Sequence, residues 1–331
     1  VKEPQGTKVL DTYWRFAGER QAVFFNRLEG RAVWTTDPVL ISYKFTNAYR
    51  ASDRVSQFLL RNVIYSSIDV DWRSRFFRIL LFKLFNKIET WDLLSRTLGE
   101  VTAASFAVDR YARILDDAMD RGVRLYSAAY VMPAAAQFRS PRKHRTHLEL
   151  LARMMSDGLP ERIAEARTME AAYHLLRNYP MMGPFLSYQF ITDLNYAPDL
   201  SYEESEFVVA GPGARDGLRK CFGDHAWSES DLIRWVAERQ QHEFERRGVA
   251  FRDLWGRRLQ LIDCQNLFCE VDKYSRVVHP SVAGISGRTR IKQKFASHGS
   301  LPDPFYPPKW KLVDRIDYWR AARAQGGSNE V

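Results

Sequence analysis

Leu176-Arg177-Asn178-Tyr179-Pro180-Met181-Met182-Gly183-Pro184-Phe185-Leu186-Ser187-Tyr188-Gln189-Phe190 reads as the end of one helix, a tight hairpin and the start of a second helix. Pro180 cannot continue a helix, because it lacks an N–H and its ring collides with the preceding turn. Gly183 gives the backbone freedom to adopt φ > 0, and Pro184 suits the first position of the next helix. A hairpin of this kind leaves N–H groups unpaired at a helix N-terminus, which is a ready anion site. An ordinary αα-hairpin with a Pro-Gly turn has the same pattern.

The frame Tyr179-Pro180-Met181-Met182-Gly183-Pro184-Phe185-Leu186-Ser187 resembles the helix-hairpin-helix of DNA glycosylases. Composition agrees with an anionic partner. The chain of 331 residues carries a net charge of +9, with a pI near 9.4. Its hydrophobic content of 45% allows a substantial core. Three cysteines, Cys221, Cys264 and Cys269, are too few for a disulfide framework or a Cys₄ iron–sulfur cluster. A reduced, cytoplasmic setting fits them best. No signal peptide is visible, and the longest apolar run, Ile79-Leu80-Leu81-Phe82, is too short to span a bilayer.

Working outward, helices are expected over 11–28, 76–85, 106–118, 148–155, 161–165, 169–176, 214–221, 229–246 and 259–277. Asp37-Pro38 is a helix-start or turn signal. Residues 76–85 are apolar on most sides and should be central. Val55, Phe58, Leu59, Val63 and Ile64 recur at helical spacing. If that helix begins near Asn47, then Asn47, Arg50, Asp53 or Arg54, and Gln57 share another stripe. Leu125 to Met132 reads as a short extended segment. Phe138 to Thr146 is a basic loop, either a phosphate contact at Lys143 or a solvated connection. Ala210-Gly211-Pro212-Gly213 is a second backbone cradle or a tight start to a helix, and no Gly-Lys-Ser/Thr follows to make it a P-loop. In 259–277, Asn266, Glu270 and Lys273 form a polar stripe that would usually be a surface ion pair, but Gln265, Asn266, Cys264 and Cys269 suggest a buried polar pocket instead. Residues 286–331 should form a basic, proline- and aromatic-containing tail packed on a helical body spanning 1–285.

These segments together resemble one family. Arg20 to Asn26, Thr36-Asp37-Pro38, Phe45 to Arg54, the Gly183-Pro184-Phe185 turn, Ala210 to Gly213 and Cys269 to Tyr274 are similar to the α-glutamyl/putrescinyl thymine pyrophosphorylases and the helical domain of phage 5-hydroxymethyluracil DNA kinases. The resemblance implies an all-α, helix-hairpin-helix glycosylase-like fold acting on modified bases in DNA. Two departures stand out. Lyase-type hairpin glycosylases carry a Lys where this chain has Phe185, so no Schiff-base lyase is expected. They also carry an Asp where this chain has Gly211-Pro212-Gly213.

The expected activity is a monofunctional glycosylase that flips out and excises a hypermodified pyrimidine, without cofactor or metal, as a monomer on double-stranded phage DNA in antiviral defence. A base-modifying transferase and a non-catalytic DNA-binding module are the alternatives. Oxocarbenium character on the sugar needs a carboxylate, and Asp53, Asp193 and Glu270 are the candidates. Arg50 and Lys273 complete the catalytic set and should keep the acids ionised. All three acids are expected to meet over one extruded nucleoside. Asn26, Asn47, Gln189, Gln265 and Asn266 suit reading a base edge, and Tyr49 and Tyr188 suit stacking. Arg20, Arg54, Lys143, Arg215 and the backbone at Met182, Gly183, Gly211 and Gly213 are the expected phosphate contacts.

Overall fold

The computed structural model describes residues 3–66, 68, 70–130, 132–133, 142–297, 299, 301 and 303–326. The fold is all-α, and only two isolated β-bridges, Tyr43 with Lys294 and Leu254 with Arg257, occur among the described residues. The chain divides into two compact units. The first is Val1–Arg54 with Glu204–Val331, and the second is Val55–Glu203.

The first unit opens with α1 (Lys8–Leu28), whose Thr7 side chain caps the N-terminus by accepting the Val9 N–H. Helix α2 (Pro38–Ser42) starts where Asp37 signals it, the carboxylate accepting the N–H groups of Val39 and Leu40. After the second unit the chain returns as α11 (Pro212–Phe222), α12 (Glu229–Arg246), α13 (Leu261–Val278) and α14 (Val313–Gly326). Helix α14 lies in the segment read as a tail, where no helix was expected. In the same segment Tyr306 is buried, with its hydroxyl 2.8 Å from that of Ser52.

The core of this unit is α13, against which α1, α11 and α12 pack. Tyr13 of α1 meets Phe268 of α13 at 4.5 Å, and Trp14 meets Phe244 of α12 edge-on at 4.9 Å. Helices α11 and α13 approach so closely that a Cβ on Gly217 would sit 2.0 Å from the Phe268 carbonyl oxygen. A Cβ on Gly213 would sit 2.3 Å from the Cys269 sulfur. Gly213 thus serves the packing of α11 on α13. The crossing is bolted by a buried ion pair, Lys220 Nζ to Asp272 Oδ1 at 2.9 Å, with Arg276 on the other carboxylate oxygen.

The second unit is built on α4 (Trp72–Phe85), capped by the Asp71 carboxylate on the Ser74 N–H and ended by Asn86 in the left-handed region. Phe76 to Phe85 are all buried, as a helix apolar on most sides requires. Around it lie α3 (Arg54–Phe58), α5 (Ile88–Leu98), α6 (Val108–Asp120), α7 (Lys143–Ser156), α8 (Leu159–Glu165), α9 (Met169–Arg177) and α10 (Pro184–Leu194). The segment after α3 is a π-helix, Leu59–Ile64, whose wider turn buries Leu60 beside Leu59, Val63 and Ile64. No strand forms over the described part of 125–132. The basic loop is shorter than expected, since α7 begins at Lys143, and Phe138 to Pro141 lie outside the described residues.

The hairpin joins α9 to α10 as expected, but the left-handed residue is Met181 (φ 65), while Gly183 is extended at φ −64, ψ 167. The turn is held from inside. Arg177 Nη1 and Ser187 Oγ both donate to the Met182 carbonyl, at 2.6 and 3.1 Å.

Candidate active site

The segment after α2 determines the geometry of the first unit's polar centre. Residues 44–49 are irregular and a short 3₁₀ turn covers Arg50–Ser52, so the expected helical stripe from Asn47 to Gln57 does not form. Asn and Asp side chains compete with helix by bonding nearby backbone, and that competition wins here. The Asn47 N–H donates to Asp53 Oδ1 at 2.8 Å, and Asn47 Nδ2 donates to the Ser52 carbonyl at 2.7 Å. The preceding N–H, of Thr46, donates to Glu270 Oε2 on α13 at 2.9 Å. Two carboxyl groups from distant parts of the chain therefore hang on consecutive amides. Lys273 Nζ lies 2.6 Å from Glu270 Oε2 and crosses the Phe45 ring at 5.0 Å.

Arg20, on α1, faces this pair. Its side chain is only 8% exposed, yet its buried Nη1 has no hydrogen-bond partner among the described residues. Burial pulls its guanidinium down to about 10, Asp53 and Glu270 opposing the shift and Arg27 adding to it. Gln21 Nε2 and Thr46 Oγ1 are likewise buried without a partner. Unpaired buried polar atoms cost about 1–3 kcal/mol each, and Arg20 and Thr46 bring two of them to the acid pair, Arg20 through its charge and Thr46 through its amide on Glu270. Asp53 is half-buried, and burial lifts its carboxyl to about 7; the Asn47 amide, Arg20 and Arg50 resist, and Glu270 adds to the rise. The expectation that basic neighbours keep Asp53 fully ionised is thereby corrected, because desolvation outweighs them.

Behind this pair stands a further acid that sequence reasoning missed. Asp263 accepts the Arg50 N–H at 2.8 Å and the Gln260 N–H at 3.0 Å, fixing the 3₁₀ turn to the start of α13; burial lifts it to about 6. Its signal was its place at the third position of α13, where a capping carboxylate reaches back to the N-cap amide. Tyr49 is fully buried, its hydroxyl donating to the Arg257 carbonyl at 2.6 Å, so its ring is part of the core. Arg50, Gln265 and Asn266 are buried in the same unit. Asn26 spends its amide on the Trp34 carbonyl at 2.9 Å, pinning the loop after α1. Arg215 pairs with Glu229 at 2.6 Å, Gly211 caps α11, and Arg54 is exposed.

A cavity of about 300 Å³ adjoins Arg20, with Arg27, Trp34, Tyr43, Phe45 and Phe295 among its walls. Sequence reading passed over Trp34, Tyr43 and Phe45, although three aromatics flanking a capped turn were a signal. Phe295 comes from some 250 residues further along the chain and gave none.

Asp193, the third expected acid, belongs to the second unit. It is fully buried on α10 and paired with Lys83 of α4 at 3.0 Å. Lys83 Nζ also donates to Asn86 Oδ1 at 2.9 Å and lies over the Tyr130 ring at 4.6 Å. A buried pair of this kind fastens α4 to α10. Tyr188 and Gln189 are buried on α10. The N–H groups of Met182 and Gly183, expected to grip a phosphate, are used within the hairpin, on the carbonyls of Tyr179 and Met181. Lys143 lies over the Tyr126 ring at 4.6 Å. Among the described residues no group of three or more His, Cys, Asp or Glu could hold a metal ion, and no helix is long and apolar enough to cross a membrane.

Comparison with known proteins points to one family. The family described as "5-hmdU DNA kinase, helical domain" matches residues 7–284. A curated relative, the 5-hmdU DNA kinase of Bacillus phage SP10, is 25% identical over 298 residues, which are 82% of this chain and 46% of the relative. The chain thus spans about half the length of that protein. No solved structure matches, and the relation to hairpin DNA glycosylases gains no support. These matches overturn the expectation of a hydrolytic, base-excising glycosylase, because both family and relative are DNA kinases, and the base-modifying alternative accords with them better. The chain belongs to the family of 5-hmdU DNA kinase helical domains.

Proposed function

We propose that this chain engages DNA carrying a 5-hydroxymethyl pyrimidine and serves the modification of that base by group transfer at its hydroxymethyl oxygen. The observation that carries the reading is the Asp53–Glu270 pair on consecutive amides, with the Arg20 guanidinium beside it holding an unused donor. A hydroxymethyl oxygen becomes a useful nucleophile as its proton leaves, and a carboxyl near 7 is matched to take that proton at neutral pH. Arg20 is suited to the negative charge on an incoming group. Asn266, one turn before Glu270 on α13, is the amide best placed to read the base edge. The target base has to leave the stack to reach such a site. The relative's activity on 5-hmdU in DNA supports this substrate class. The sequence contains no Gly-x-x-x-x-Gly-Lys-Ser/Thr, so the role assigned to these residues is binding and activating the acceptor, and the phosphoryl donor is assigned to none of them.

The test is equilibrium binding of two duplexes differing by one hydroxymethyl group at a single uracil or thymine position. A site built to bond a hydroxyl discriminates strongly against its absence, so at least a tenfold preference for the hydroxymethylated duplex is expected, lost in Asp53→Asn. Equal affinity for both duplexes would overturn the reading.

A further inference from the structure

The 300 Å³ cavity beside Arg20 has a chemical character of its own. Its walls are mostly aromatic, and three of the rings carry a cation. Arg27 lies 4.7 Å from the centre of Trp34, Lys294 lies 4.1 Å from that of Tyr43, and Lys273 lies 5.0 Å from that of Phe45. Arg20 adds a fourth positive group with an unpartnered donor. At the rim, Val33, Ile41 and Phe295 are 65%, 55% and 37% exposed, an apolar lip that no described residue covers. Apolar walls, a cationic ring and a volume at the small end of ligand pockets call for a flat body bearing negative charge, the chemistry of a nucleotide.

The segment that supplies Phe295 says which source of nucleotide. Arg288, Arg290, Lys292 and Lys294 stand at alternate positions, and all four are exposed. The run is tied down at two places. Its end pairs antiparallel with the end of α2, through Lys44 N–H to the Gln293 carbonyl and Phe295 N–H to the Ser42 carbonyl, both at 3.1 Å. Its middle is held by Arg276 Nη1 on the Arg290 carbonyl at 2.9 Å. Alternate residues of an extended chain share a face at a spacing of about 7 Å. A row of cations so placed, ending at the pocket, matches a phosphodiester backbone better than a free nucleotide.

We propose that the pocket takes one nucleotide of a nucleic-acid strand, with the neighbouring phosphates carried along Arg288, Arg290 and Lys292. This deepens the reading of Arg20 and Asp53 given above, with which it has Arg20 in common, but it concerns strand capture and not the hydroxymethyl group. The test is therefore made on unmodified DNA. Fluorescence anisotropy with a labelled twelve-nucleotide strand, at several salt concentrations, gives the slope of log affinity against log salt. Losing three phosphate contacts reduces that slope by about 2, so Arg288→Gln/Arg290→Gln/Lys292→Gln should show that reduction with at least a tenfold loss of affinity. These side chains are exposed, so the melting temperature should not move. Trp34→Ala should weaken strand binding at least fivefold with the slope unchanged. A triple variant with wild-type slope, or a Trp34→Ala protein with wild-type affinity, overturns the proposal. So does displacement of the strand by thymidine monophosphate at low millimolar concentration, which would make the pocket a free-nucleotide site. A strand that binds as described while hydroxymethylated and plain duplexes bind equally would leave this proposal standing and remove the function proposed above.

Discussion

Replacing Asp53 by Asn should make the protein more stable at alkaline pH. The ordinary carboxyl value of 3.8 holds in the unfolded chain, while the fold raises it to about 7. Between those values the folded protein keeps a proton that the unfolded chain has released, so stability falls as pH rises from about 4 to about 7 and is flat above. The full penalty corresponds to roughly 4 kcal/mol. Partial exposure of the carboxyl, and the loss of a negative neighbour for Arg20 and Arg50, bring the expected net gain to about 2 kcal/mol. Asn keeps an oxygen to accept the Asn47 N–H, so the turn at residues 47–53 stays intact. Asp263 is raised to about 6 and gives a slope of the same sign, but it is present in both proteins and cancels in the difference. Urea denaturation at intervals from pH 4.5 to 8.5 gives the readout. The variant's advantage should be near zero at the acid end and grow through pH 7. A difference independent of pH, or a variant less stable at pH 8.5, refutes the argument that burial dominates at Asp53.

Three further outcomes follow from the geometry. Arg20→Gln removes a cation that holds Asp53 down, so the Asp53 carboxyl, followed by its carbon resonance in NMR, should titrate above 7. Lys83→Met removes the cation paired with the buried Asp193 carboxylate and should cost about 3–5 kcal/mol in thermal or denaturant unfolding, with much of that recovered in Lys83→Met/Asp193→Asn. Gly217→Ala forces a methyl against the Phe268 carbonyl, where neither helix backbone can yield cheaply; a loss of about 3 kcal/mol or failure to fold is expected, whereas Gly183→Ala, with nothing within 4 Å of the added carbon, should change the melting temperature little.

Helices with a strong cap and a regular pattern were legible in the sequence. Glu229–Arg246 follows from Ser228 and an amphipathic repeat, and the central α4 follows from its continuous apolar residues. Burial of Gln265, Asn266 and Glu270 was legible because amides and cysteines there replace the Lys and Glu of a solvated face. What stayed hidden was decided by side chain-to-backbone bonds and by long-range closure. Asn47 and Asp53 fold a turn where helical spacing pointed to a stripe. Met181 takes the strained conformation that composition assigned to Gly183. The pocket needs Phe295 beside Trp34, a pairing that no local pattern encodes. The chemistry was misjudged for a different reason. The motifs identified the family, but its members and the fold they resemble span more than one chemistry, and motifs of fold do not choose among reactions.

The bond from Thr46 to Glu270 joins residues 224 positions apart, and the whole second unit is threaded between them. A chain emerging from the ribosome therefore exposes its α1 face and the loop at residues 44–53 long before their partner helix exists. The acid pair cannot form until the two parts of the first unit have met. A copy truncated before α13 should therefore lack the pair, a dependence that arises from connectivity alone.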